Sequence, residues 1–255
     1  MGIGEVFPNP TVQGVHFEMR FPNLFYIERK IGDLQVKIMK RFPESQLILR
    51  RQLVFADVGP EGTMQPPPCD SDSEVAKKVW SFKSPTGVEV NVLGNSLQIH
   101  STHHKTYNNP ESQERFREVI EYVVPHFLEL TGVPVITRIG LRYIDKCPIP
   151  KLENEVFQEW YNTAFPLKRF SLSDAIDMAF NTTVRKGGFF VRYVEALKLE
   201  QDTPFLILDF DGFAEQIEAG EYLKVTDGLH ELISSEFEAT IREPVYGFMR
   251  GGGKE

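Results

Sequence analysis

Hydrophobic residues recur along this chain with two periods, and the switches between them divide it into strands and helices. From Val12 to Phe21 apolar and polar residues alternate, placing Val15, Phe17, Met19 and Phe21 on one face of a half-buried strand. Ile27, Ile31, Leu34 and Ile38 then recur at helical spacing, with Asn23 expected as N-cap and Pro43 ending the run. Alternation returns from Leu47 to Ala56, with Arg50 and Arg51 on opposite faces. Residues 57–74, rich in Pro, Gly, Ser and Asp, read as a loop. Three short strands are expected at Lys78 to Lys83, Gly87 to Leu93 and Ser96 to His100, forming an antiparallel meander. The clearest helix carries one stripe: Phe116, Val119, Ile120, Val123, Val124, Phe127 and Leu128. Asn109 and Pro110 are expected as its N-cap and first residue, Pro125 as a kink, and Gly132 as its close.

The same order then repeats. A strand from Val135 to Lys146 is followed by a helix carrying Val156, Phe157, Trp160 and Tyr161. Strands are expected at Ser171 to Thr183, Phe189 to Glu200 and Phe205 to Phe210, with Lys186-Gly187-Gly188 as a hairpin turn. A final amphipathic helix carries Leu229, Leu232, Ile233, Phe237 and Ile241 and stops at Pro244. The expected fold is therefore α+β, with two pseudo-repeated β-α-β(3-4)-α lobes whose antiparallel sheets each pack on a long helix. The lobes are 1–133 and 134–255, either as separate domains or as one continuous domain.

Composition narrows the function classes. The 255 residues are 41% hydrophobic and 12% aromatic, with twenty phenylalanines, enough for a substantial core. A net charge of −8 argues against broad nucleic-acid binding, which needs excess Lys and Arg to displace counterions. The two cysteines, Cys69 and Cys147, are expected as reduced thiols of a cytoplasmic protein. The N-terminus lacks the pattern of a signal peptide, and no apolar run approaches the ~20 residues of a membrane span.

The segment from Arg138 to Lys146 concentrates the candidate chemistry. Its alternation puts Arg138, Gly140, Arg142 and Ile144 on one strand face and Ile139, Leu141, Tyr143 and Asp145 on the other. Two guanidiniums flanking a glycine match the geometry of phosphate or carboxylate oxygens. They are equally able to pair with Asp209, Glu195 or Glu200 across a sheet. Asp209 and Asp211, in Leu206-Ile207-Leu208-Asp209-Phe210-Asp211-Gly212, have the spacing that can hold Mg²⁺ beside a phosphate. The structural alternative, which the missing βαβ context favours, is a turn at Asp211-Gly212 and an ion pair at Asp209. Arg185 and Lys186 precede Phe189 and Phe190 in a basic-aromatic turn of the kind that stacks on bases, without a complete RNA-binding motif. His100, His103 and His104 form a weak metal-ligand cluster, better read as a polar loop after a strand. Motifs for dinucleotides, nucleotide phosphates, serine hydrolysis and zinc proteolysis are missing, so no cofactor is expected and the reading is noncatalytic.

Four segments carry a family resemblance: Pro8-Asn9-Pro10-Thr11-Val12, the strand Arg138 to Lys146 after Gly132-Val133-Pro134, the strand Leu206 to Asp211, and the helix Leu229 to Glu238. Together they resemble a sporadically distributed bacterial family of uncharacterised proteins of about this length. The family's Arg-Tyr pair maps onto Arg142-Tyr143, whereas its uninterrupted final helix is cut here by Pro244. In size and character the chain is also similar to accessory proteins of type III-E CRISPR loci. The resemblance implies an accessory role in a bacterial defence or CRISPR-linked system and implies no reaction. The leading expectation is a regulatory protein that binds a protein partner through residues 57–74 and the strand faces near Arg138 and Arg142. The alternatives are a small-ligand or nucleotide-binding protein using Arg138, Arg142, Asp209 and Asp211, and an RNA-binding accessory using Arg185 and Lys186.

Overall fold

A computed structural model describes residues 5–50, 77–112, 114–201 and 203–251. Among the described residues nine strands form one antiparallel sheet, together with five α-helices. The elements in chain order are β1 (Val12–Arg20), α1 (Ile27–Ile38), β2 (Glu44–Arg50), β3 (Lys77–Lys83), β4 (Glu89–Val92), β5 (Ser96–Ser101) and α2 (Phe116–Thr131). They continue with β6 (Val135–Pro148), α3 (Asn154–Trp160), β7 (Met178–Lys186), β8 (Phe189–Glu200), β9 (Thr203–Glu218), α4 (Tyr222–Thr240) and α5 (Glu243–Met249). The strand order is β2-β3-β4-β5-β1-β6-β9-β8-β7.

The first strand of each half lies at the centre. β1 pairs with β6 from Arg20 opposite Arg138 to Val12 opposite Asp145, with one irregularity between Val12 and Gly14. The chain halves therefore share one sheet rather than two, and the backbone of Thr11 extends the contact by accepting from the Lys146 amide at 2.9 Å.

Alternation decides which residues face the helices. Val15, Phe17 and Met19 of β1, Ile139 and Leu141 of β6, and Leu206, Leu208 and Phe210 of β9 join one buried cluster with α1, α2 and α4. The expected stripes are the buried ones: Ile27, Ile31, Leu34 and Ile38 on α1, and Phe116 to Phe127 on α2. Phe127 meets Phe21 with ring centroids 5.1 Å apart. α4 lies across β6 and β9, where Gly212 permits a close approach: a Cβ there would sit 3.0 Å from Ile233 Cδ1. Gly132 ends α2 in the left-handed region at φ 63°, donating its amide to the Leu128 carbonyl at 2.8 Å.

Several boundaries differ from those expected. α1 starts at Ile27 behind Tyr26, four residues past Asn23, and α2 starts at Phe116 behind Arg115 rather than at Pro110. Asn109 instead accepts the Glu111 amide at 2.9 Å, an Asx turn, which competes locally with helix initiation. Pro125 lies within an unbroken α2. Asp211-Gly212 is no turn, because β9 continues to Glu218, its partners on β6 and β8 outweighing the local turn preference. The segment 171–183 opens as a 3₁₀ turn at Leu172–Asp174 before β7 starts at Met178. Pro244 restarts the chain, entering the first turn of α5 where its missing N–H costs no hydrogen bond. Residues 57–74, the strand expected beyond Arg50, and Cys69 lie outside the described residues. Among the described residues no helix is long and apolar enough to cross a membrane.

Phe127→Ala should lower the free energy of urea unfolding by about 3–5 kcal/mol. Val36→Ala, at a side chain 71% exposed on α1, should change it by less than about 0.5 kcal/mol.

Candidate functional site

The two faces of the central strands carry different chemistry. On the face away from the core, the antiparallel register aligns Glu89, His100, His16, Arg142, Asp211 and Arg192 across β4, β5, β1, β6, β9 and β8. With Glu18, Gln98, Arg138 and Gly140 they line an open groove of about 530 Å³.

Three of the four central candidates meet in this groove, but their charges are already matched. Arg142 donates Nε and Nη2 to both carboxylate oxygens of Asp209 at 2.6 Å, which holds its pKa above the ordinary value. Arg138 donates to Glu18 and to Asp211, each at 2.8 Å, and lies over the Phe213 ring at 4.5 Å. The space above Gly140 is filled by this guanidinium: a Cβ at Gly140 would come within 2.6 Å of Arg138 Nη1. Burial raises the Asp211 pKa, outweighing the pull of Arg138 and Arg142. His16 and His100 touch through their Nδ1 atoms at 3.0 Å. Burial lowers both, His16 to about 4, so the pair is neutral at pH 7.

The remaining candidates separate. His103 faces Glu114 at 2.8 Å, while His104 turns to the Ser101 hydroxyl at 2.9 Å, so the three expected histidines take three different partners. Among the described residues no group of three or more His, Cys, Asp and Glu is placed to hold a metal. Lys186 donates to both carboxylate oxygens of Glu236 at 2.7 Å, and Arg185 lies over Phe190 on the other side of the hairpin. Phe189 faces α4 at Gly228, whereas Phe190 stacks on Phe213 at 5.1 Å.

The core face holds a second site. Between β6, β9, α4, the segment 105–110 and the N-terminal segment 5–12 lies a cavity of about 370 Å³. Its floor comprises Tyr143 and Asp145 of β6 and Phe210 of β9, and α4 supplies His230, Ile233, Ser234 and Phe237. Asp145 is 4% exposed, and its Oδ1 accepts a 2.7 Å hydrogen bond from Thr11 Oγ1. Burial drives its pKa up to about 7, only partly offset by Thr11 and Lys105. Thr106 also lines the cavity, and its hydroxyl oxygen is buried without a hydrogen-bond partner among the described residues.

A polar network holds the wall opposite the sheet. Arg117 of α2 donates to both carboxylate oxygens of Asp227 on α4, at 2.8 and 3.0 Å. Tyr107 donates to the same carboxylate at 2.6 Å and stacks on His230 with centroids 4.3 Å apart. His230 Nδ1 lies 3.3 Å from the Tyr143 hydroxyl, and burial lowers its pKa to about 4, leaving a neutral ring. The network therefore joins α2, α4, β6 and the 105–110 segment around the cavity.

The strand period places Asp145 on the apolar face of β6, although Asp145 belongs to no motif. A carboxylate among Ile139, Leu141 and Tyr143 was the available signal. His230, Tyr107 and Thr11 carried no comparable one, because each reaches the cavity from a separate element. No protein-family model, curated protein or solved structure matches this chain.

Gly140→Ala should push the Arg138 guanidinium off Glu18 and Asp211 and lower the unfolding free energy by about 1–3 kcal/mol, read from urea melts. An acid whose pKa rises on folding binds its proton more tightly in the folded state. Asp145 therefore destabilises progressively as pH rises from about 4 to about 7. His16, His104 and His230, held down to about 4, act oppositely: their contribution is lost as pH falls from 6.5 toward 4. Asp145→Asn should accordingly raise stability at pH 8 by roughly 1–4 kcal/mol, with the gain shrinking toward pH 4 in parallel calorimetric melts.

Proposed function

We propose that this protein is a noncatalytic binder of a small, largely apolar ligand, held in the cavity between α4 and the centre of the sheet. The observation that carries the reading is the cavity itself. Its volume of about 370 Å³ falls within the ~300–1,000 Å³ range of small-molecule sites. Its walls are mainly aromatic and aliphatic, with a few polar groups of displaced pKa converging on them. The Arg/Asp groove on the opposite face supports this role less well, since Arg138 and Arg142 are each engaged by carboxylates.

A second reading, partner binding, is favoured by exposed apolar residues near one sheet edge. Leu47 and Leu49 of the outermost strand β2 are 55% and 59% exposed, and Val36 of α1 and its C-cap residue Met39 are also exposed. Both readings are compatible with a cytosolic accessory of a bacterial defence system, as the family resemblance implies. The sheet order supports reading the chain as two β-α-β-α lobes, since the first strand of each half lies at the centre beside the last strand of its own half.

Nile red, a neutral apolar dye, should bind the folded protein with one-to-one stoichiometry and enhanced fluorescence. Ser234→Trp, which fills the cavity from α4, should remove that signal while the variant still melts cooperatively. No dye binding by the wild type, or equal binding by the variant, would overturn the ligand reading and leave the partner reading standing.

A further inference from the structure

The cavity described above has one chemical feature that an apolar ligand alone does not use. Asp145 lies at its floor, 4% exposed, and among the described residues its carboxylate receives the single neutral hydroxyl of Thr11. A buried carboxylate has about four acceptor sites and is normally matched by a cation or several N–H groups. The nearby cation does not supply that match. Lys105 Nζ instead donates to the backbone carbonyls of Val12 and Thr102, at 2.7 and 3.1 Å. Aromatic residues line the same cavity: Tyr107, Tyr143, Phe210 and Phe237. The rest of the lining is nearly balanced in charge: Arg250 engages Glu5, Glu231 stands against Lys105, and His230 is neutral at pH 7.

We propose that the ligand is an organic amine, bound as its ammonium ion against Asp145 with its apolar body between Tyr107, Phe210 and Phe237. This rests on the ligand-binding reading above and specifies its substrate class. An ammonium supplies three N–H donors and a full charge to the under-coordinated carboxylate, and aromatic faces attract cations through their quadrupoles. A neutral alcohol supplies one donor and no charge. An anionic ligand would meet the carboxylate unscreened in a desolvated site, which costs several-fold to many-fold in affinity.

Isothermal titration of the full chain at pH 8 should compare tryptamine with tryptophol, and 4-phenylbutylamine with 4-phenylbutanol. Each amine is expected to bind at least about tenfold more tightly than its alcohol, a factor worth about 1.4 kcal/mol. Asp145→Asn, nearly isosteric, is expected to abolish that preference. Alcohols binding as tightly as amines, or an amine preference that survives Asp145→Asn, would overturn the amine assignment. The ligand pairs decide the question on the wild type even if the variant fails to fold. Nile red binding without amine binding rejects the amine alone, whereas binding of neither dye nor any pair member rejects the ligand-binding reading as well.

Discussion

Strand β6 is hydrogen-bonded along both edges, to β1 and to β9, and every other part of the molecule takes its position from that double pairing. Its β1 edge joins the chain halves, and its β9 edge carries the strand on which α4 lies. Because side chains alternate along a strand, the same fourteen residues present one chemistry upward and another downward. Arg138 and Arg142 enter the groove, while Tyr143 and Asp145 enter the cavity. A register slip of one residue would exchange the two sets, placing guanidiniums against the core, so burial strongly specifies the pairing.

The two faces resolve their charges in opposite ways. In the groove, acids and bases are placed in cross-strand contact, and the Arg138 and Arg142 guanidiniums each sit within hydrogen-bonding distance of a carboxylate. Such pairing gives little net energy where exposed, yet it removes the unpaired charge that an anion site requires. On the core face, Asp145 is enclosed without a matching cation, and the cost appears as its raised proton affinity. The Arg117–Asp227–Tyr107 contacts show that this protein satisfies a partly buried carboxylate fully elsewhere. Asp145, which lines the cavity and accepts the Thr11 hydroxyl, departs from that pattern.

Much of the architecture was legible from periodicity. The stripes of α1 and α2, the alternation of β1 and β6, and the hairpin at Gly187-Gly188 depend on neighbours within a few residues, so local spacing reports them. Boundaries were less legible. Asn109 and Asn23 look like helix caps, yet the helices begin later, and Asp211-Gly212 looks like a turn but is held extended between two strands. The pairing of Arg142 with Asp209 was among the expected alternatives, whereas Arg138 reaching Glu18 and Asp211 above Gly140 required the register.

The order of apolar and polar residues by itself determined that this chain forms antiparallel strands covered by amphipathic helices. It also placed a carboxylate on an apolar strand face, because burial preference is written in each element's own period. Only the tertiary structure decided what that carboxylate faces. Thr11, the Lys105–Tyr107 segment and His230 are distant in sequence from Asp145 and from one another, and no local period links them. Their convergence depends on β1 pairing with β6 and on α4 crossing beneath the sheet, both long-range contacts that form only when the whole core closes.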